Sequence, residues 1–250
     1  MPCPQGVSVP MKQNRILMVA AACAAITAGT EPARSPVLVE LFTSEGCSDC
    51  PPADTILEKL DQSQPVAGAA VIALSEHVDY WNSLGWSDPW SSPLFSRRQE
   101  SYARRFHISA PYTPQMVVDG TSEFVGSDGR GAVSAISSAA KAEKVNVRIS
   151  RVGATVRVEV DAGRHRGDVY LAEAENRTSS EVLRGENKGR SLHHIAVVRR
   201  LEQIGKWTGQ APFSKEVAIA GAAPDVRLIA FVQESGNGRV WGAAMLGGRR

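Results

Sequence analysis

Apolar and polar positions follow two different rhythms along this chain, and the change falls near Val145. Before it, short apolar runs alternate with helical spacing. "SPVLVELFTS" (35–44) is β-branched and mostly apolar, the pattern of a buried strand. "PPADTILEKL" (51–60) then places Ile56, Leu57 and Leu60 on one helical face, and "AAVIALSEHV" (69–78) predicts a second buried strand around Val71–Leu74. "SPLFSRRQESYARRFH" (92–107) reads as an exposed helix whose apolar residues are Leu94, Phe95, Tyr102 and Phe106. "PQMVVDG" (114–120) is a short strand ending in an Asp-Gly turn, "SEFVGS" (122–127) its partner, and "GRGAVSAISSAAKAE" (129–143) a small-residue helix. The order β-α-β-α-β-β-α predicts one α/β domain over residues 35–144.

From Val145 to Arg250 the helical period fades and alternation takes over. "VNVRIS", "ATVRVEV", "DVYLAEAE", "HHIAVVRRL", "SKEVAIA", "VRLIAFVQES" and "RVWGAAML" give about seven strands, which predicts an antiparallel β-sandwich-like domain. Within the polar loop "VLRGENKGR" (182–190), the basic stretch "RGENKGR" with Arg199 and Arg200 could meet an anionic ligand or partner, but reads better as a solvated loop and strand face.

The N-terminus changes how the charge and the cysteines are counted. Lys12 and Arg15 precede the apolar stretch Ile16–Gly29, which is too short to span a bilayer, since a spanning helix needs roughly 20 apolar residues. Basic segment, apolar core and following small residues predict a secretory signal peptide over residues 1–29 and a periplasmic or secreted protein without a membrane span. Its removal takes two positive charges from a formal +2 and leaves a near-neutral chain (+2 minus 2), which argues against an electrostatic nucleic-acid partner. It also takes Cys3 and Cys23, so Cys47 and Cys50 remain as the one thiol pair. A single close pair is not a disulfide scaffold.

That pair sits in "LFTSEGCSDCPPAD" (41–54), between a strand and a helix. A cysteine at a helix N-terminus faces unpaired N–H groups whose partial positive charge favours the thiolate. Cys47 would then be an exposed nucleophile and Cys50 the residue that resolves the mixed disulfide. Pro51 and Pro52 suit a first helical turn, where no intrahelical N–H bond is lost. Asp49 between the cysteines opposes a second negative charge on Cys47. Two other uses stay open: a three-ligand copper site made by Cys47, Cys50 and His77, since thiolates suit Cu(I), and a fixed disulfide in a non-catalytic binding module.

With "YTPQMVVDG" downstream, the strand, C-x-x-C, helix and hairpin together resemble a thioredoxin-like domain over about 110 residues. The resemblance implies that Cys47 is the attacking and Cys50 the resolving cysteine, and that Pro114 follows a cis peptide bond, with Thr113 and Pro114 beside the bound substrate. The sequence departs from thioredoxin at Leu41, where a buried Asp stands in that family; Glu40 is next to it but on the opposite strand face. "VELFTSEGCSDCPPAD", "HVDYW", "YTPQMVVDG" and "GENKGRSLHHIAVVRRL" also resemble, over nearly the whole chain, a family of exported bacterial proteins of unknown function. That resemblance implies a thioredoxin-like part and a β-rich C-terminal part, and no established activity.

The segment "HVDYWNSLGWSDPWSSP" holds Trp81, Trp86 and Trp90 just after a strand end. Ligands of α/β folds collect at such ends, so His77, Asp79 and Trp81 are candidate accessory residues; the alternative is a loop pinned by packed tryptophans. Taken together, the residues predict a thiol–disulfide oxidoreductase working through Cys47 and Cys50 on protein or small-molecule thiols. It needs no organic cofactor and no metal, and its partner bears a thiol or a disulfide.

Overall fold

The computed structural model describes residues 1–6, 34–219 and 225–248. Residues 1–32 and 33–250 form two compact units, and all elements below belong to the second. The apolar core of the expected signal peptide, Ile16–Gly29, lies outside the described residues.

β1 (Ser35–Thr43) and β2 (Ala69–His77) pair in parallel from Ser35↔Ala69 to Thr43↔His77, and β1 pairs antiparallel with β3 (Gln115–Val118), which leads into β4 (Ser122–Val125). Strand alternation sorts the side chains of β1. Val37, Val39 and Leu41 pack with Ala53, Leu57 and Leu60 of α1 (Pro51–Ser63) and with Ala132 and Ile136 of α3 (Gly129–Ala140). Leu38 and Phe42 face the other way, onto Phe95 and Tyr102 of α2 (Pro93–Arg105). Far from being an exposed helix, α2 buries Phe95, Arg98, Gln99, Tyr102 and Ala103. Its Arg98 donates to Glu40 Oε1 at 2.7 Å and to Gln233 Oε1 at 2.9 Å, while Tyr102 O–H donates to Glu40 Oε2 at 2.6 Å.

The C-terminal strands are β5 (Val147–Val152), β6 (Thr155–Val160), β7 (Gly167–Glu181), β8 (Ser191–Trp207), β9 (Phe213–Ala218), β10 (Val226–Gln233) and β11 (Val240–Leu246). They do not form a domain of sandwich type behind an α/β thioredoxin-like one, and that expected fold class is overturned. Strands from both sides of Val145 share one eight-stranded mixed sheet, in the order β11-β10-β7-β8-β2-β1-β3-β4; only β5, β6 and β9 form a separate three-stranded sheet. With three α-helices among the described residues, the molecule is mostly β. The physical reason lies in β2. It is buried almost throughout, so its free edge needs a hydrogen-bonding neighbour as well as an apolar cover. β8 supplies that neighbour through a short parallel contact at Ser75↔Val197. Periodicity reveals a strand and its faces but not the strand that lies beside it.

β10 shows how the second layer forms. Ile229 and Phe231 face α2, while Leu228, Ala230 and Val232 face Val147, Val156 and Val158 of the small sheet. β7 and β8 continue beyond β10 as a long hairpin, paired out to Glu181↔Ser191, and carry residues 182–190 at its tip.

One buried ion pair ties α1 to this C-terminal part. Arg227 of β10 donates from Nη1 and Nη2 to Asp61 Oδ1 and Oδ2 at 2.9 and 3.1 Å, and both residues are buried. Removing one partner leaves a charge without compensation, whereas replacing both by apolar groups often costs little. Arg227→Leu is expected to lower unfolding free energy by about 3–5 kcal/mol in urea titrations. The double variant Asp61→Leu, Arg227→Leu should regain most of that loss, and a single variant with an unchanged midpoint would contradict the pairing.

Candidate functional site

Cys47 and Cys50 are joined in a disulfide, with Cα atoms 5.4 Å apart. Cys50 is the N-cap of α1, with Pro51 and Pro52 in its first turn, and its carbonyl accepts from the Ala53 and Asp54 N–H groups. Cys47 lies in the preceding turn, closed by its own N–H donating to the Ser44 carbonyl. Neither sulfur-bearing residue is open to solvent: Cys47 is 1% exposed and Cys50 0%. The expectation of an exposed Cys47 therefore fails, and its cause is a segment that the sequence presents as a solvated loop.

That segment is the β7–β8 tip, residues 182–190. Asn187 is wholly buried, and its side-chain amide donates to the carbonyls of Glu45 and Cys47 at 2.8 and 2.9 Å. Glu186 accepts from the Ser48 N–H at 3.0 Å, and the Ser48 hydroxyl together with that N–H holds its carboxyl below the usual range. On the other side, Gly185 sits at φ 74°, and a Cβ there would lie 3.1 Å from Trp86 Cβ. The tip acts as a strap across the Cys47 turn.

Beneath the strap is a buried set of ionisable groups from α1, β2, β8 and two loops. Glu45 accepts from Trp86 Nε1 at 2.8 Å and from the Ser180 hydroxyl, and faces His194 Nε2 at 3.3 Å. His194, from β8, also faces Asp54 of the first turn of α1, Nδ1 to Oδ2 at 3.6 Å. Asp54 accepts from the Thr43 hydroxyl at 3.3 Å. Edge-on to His194, with ring centroids 4.6 Å apart, stands His77, whose Nδ1 is 2.7 Å from Asp88 Oδ2. Asp88 accepts in turn from the Glu45 N–H at 2.8 Å.

Burial alone would lower the His194 pKa, yet Asp54 and Glu45 push it up to about 10. For Glu45, burial raises the pKa, but hydrogen bonds from His194, Ser180 and Trp86 outweigh it and the carboxyl stays below its usual range. Asp88 behaves alike: burial raises it, and His77 with the Glu45 and Trp90 N–H groups brings it below the usual range. His194 is thus a buried cation between two carboxylates that flank the cysteine pair in sequence.

The other expected residues divide into two groups. The Thr113–Pro114 peptide is cis. Thr113 Oγ1 accepts from Trp81 Nε1 at 2.8 Å, and the Trp81 Cβ would lie 2.9 Å from a Cβ on Gly46, beside Cys47. A Cβ on Gly126 would lie 3.1 Å from both Pro114 Cβ and Ala53 Cβ, so Pro114 lies by the first turn of α1. Trp81, Thr113, Pro114 and His77 therefore gather around the disulfide segment. Asp79 does not; it accepts from Ser96 of α2 instead. Among the described residues no group of three or more His, Cys, Asp and Glu side chains is placed to hold a metal ion.

Sequence reading missed Glu45, Asp54, Asp88, Asn187 and His194. Glu45 and Asp54 stand beside the cysteines and could have been singled out by that alone. His194 is remote in sequence, and only its place on the inward face of a strand hints at burial.

Residues 38–233 match a family described as a protein of unknown function (DUF1223). The crystal structure of a structural-genomics protein from Agrobacterium tumefaciens is similar, with a TM-score of 0.74 and 28% identity over 87% of this chain and 96% of that one. HBP35 of Porphyromonas gingivalis shares the fold at a TM-score of 0.54 and 17% identity, over 87% of this chain and 76% of that one. Comparison with curated proteins finds no match.

The raised His194 pKa fixes the sign of a pH effect. Its contribution to stability is complete below its ordinary 6.5 and is lost as pH rises through about 10. Thermal unfolding midpoints of the wild type should fall from pH 6.5 towards 10, and those of His194→Gln should be lower and nearly flat over that interval. Parallel profiles for the two proteins would contradict a charged His194.

Proposed function

The chain belongs to the DUF1223 family, and within it we propose that this protein is an extracytoplasmic thiol–disulfide oxidoreductase working through Cys47 and Cys50. The observation that carries the reading is the placement of the disulfide at the start of α1 between Glu45 and Asp54, with His194 between their carboxylates. A staple would be a weak use of the bond. Closing so few residues removes little chain entropy, on the order of 2 kcal/mol by the loop-length relation. The buried cation and carboxylates cost far more to bury than a two-residue staple returns. An oxidising compartment, as the expected signal peptide implies, is where such a bond persists.

In the oxidising direction, a partner thiolate attacks Cys47 Sγ, the Cys47–Cys50 bond breaks, and Cys50 leaves as thiolate and takes up a proton. A second partner thiolate then attacks the partner's sulfur in the mixed disulfide, and Cys47 leaves as thiolate and is protonated. The partner dithiol has become a disulfide, and two electrons and two protons have passed to the cysteine pair. The reverse sequence reduces a partner disulfide. Thr113, Pro114 and Trp81, gathered at the same turn, are the residues proposed to border the partner chain, and His194 with Glu45 and Asp54 the groups that hold charge steady as Cys50 is released.

Burial of both cysteines favours one other reading, a binding module in which the disulfide never opens. Cys50→Ser separates the two. In the native host, an oxidoreductase with this variant should accumulate mixed disulfides through Cys47, visible on non-reducing gels and absent from the Cys47→Ser, Cys50→Ser double variant. No adducts, together with a wild-type pair that resists mild reductant, would overturn the redox reading.

A further inference from the structure

Among the described residues from 34 on, the exposed large apolar side chains are Tyr80, Leu84, Val125, Val133 and Leu183, and three of these lie on two neighbouring segments, the strap and the turn that precedes Trp86. Tyr80 (41% exposed) and Leu84 (58%) sit at either end of a 3₁₀ turn, Tyr80–Leu84, and Leu183 (67%) sits on the strap. The segments touch. A Cβ on Gly185 would lie 3.8 Å from the Leu84 carbonyl and 3.1 Å from Trp86 Cβ, so Leu84 and Leu183 flank one seam. Exposed apolar groups gathered at one place mark an interaction surface, whereas single ones carry no such meaning.

Charge along the same seam has a definite sign. Arg184 and Lys188 on the strap are exposed, and neither side chain has a hydrogen-bond or ion-pair partner among the described residues. Arg190 is committed to Asn187 Oδ1, and the Glu186 carboxylate to the Ser48 N–H. The strap thus offers free positive charge beside exposed apolar side chains.

We propose that Tyr80, Leu84 and Leu183 form the docking surface for an extended, cysteine-bearing polypeptide with apolar residues next to acidic ones, and that its docking draws the 182–190 strap away from Cys47. The proposal rests on the oxidoreductase reading and supplies what that reading lacks, a route to a disulfide with no solvent exposure. The strap is suited to release. Its hold on the Cys47 turn includes two hydrogen bonds from Asn187 and the pairing of Glu186 with Ser48, and it is the tip of a hairpin whose β7 and β8 are paired behind it. A partner that engages Leu183 and Arg184 pulls on the residues immediately before that latch. The neighbouring chemistry also fits a polypeptide rather than a small thiol, since a small thiol makes no use of a seam built from two separate segments.

Two measurements on the full-length oxidised protein test this, and they separate docking from chemistry. The first is calorimetric binding of a synthetic peptide holding two leucines, two glutamates and serines in place of its cysteines. It should bind saturably, and Leu84→Ser, Leu183→Ser and Arg184→Ala, Lys188→Ala should each weaken it by about tenfold. An affinity unchanged in both variants, or no binding, overturns the docking surface without touching the redox reading. The second is the rate at which a small phosphine reductant opens the disulfide. Asn187→Ala should raise it several-fold over the wild type. An unchanged rate in Asn187→Ala overturns the strap as cover. If the dithiol form of the peptide binds but exchanges no electrons with the wild type, the oxidoreductase reading fails and the docking surface stands as a binding site only.

Discussion

Two carboxylates that flank the cysteine pair, Glu45 and Asp54, are buried with one cation between them, and that cation is His194, from the other half of the chain. The rest of the architecture serves this meeting. Carboxylates removed from water cost several kcal/mol each unless they are paired and hydrogen-bonded, so the turn before α1 is unfavourable until β8 arrives. β8 arrives because β2 needs a neighbour, and its contact at Ser75↔Val197 places His194 three residues away along the strand. The sheet that joins the two halves and the charge cluster at the disulfide are therefore one constraint seen at two scales.

The same arrangement explains why the disulfide is closed. The β7–β8 hairpin brings His194 on one strand, Ser180 on the other and Asn187 at its tip, and all three engage the 45–47 turn. A hairpin that delivers the counter-ion to Glu45 delivers the cover over Cys47 with it. Burial of the cysteines goes with satisfying the carboxylates, and the paired strands behind the tip hold His194 in place.

Much of this was legible residue by residue, and the limit was physical. The strand at 35–43, the helix opening with Pro51 and Pro52, the strand at 69–77 and the alternating segments after Val145 follow from local periodicity, and they stand where that periodicity puts them. The cysteine pair was legible from spacing and from its place between a strand and a helix. Strand neighbours were not, because a buried strand such as β2 reads the same whichever strand lies beside it, and so the sequence pattern suggests an α/β domain followed by a separate sandwich-like one where one sheet joins both. The strap failed for a related reason. "RGENKGR" is polar throughout, and polarity signals solvent unless a buried turn with free carbonyls is there to receive an asparagine amide. Asn187 meets such a turn only in three dimensions.

What the buried cluster and its strap are for comes down to whether the Cys47–Cys50 bond turns over while the protein stays folded. Equilibrating the purified chain across a series of dithiol redox buffers, with alkylation and mass spectrometry to count free thiols and circular dichroism to follow the fold, measures this directly. A reversible two-electron transition between about −120 and −270 mV, with the fold intact, is the predicted result, since that is the span of redox-active dithiols. A pair that stays oxidised below roughly −300 mV, or that opens only as the protein unfolds, would make it a structural bond and contradict the account.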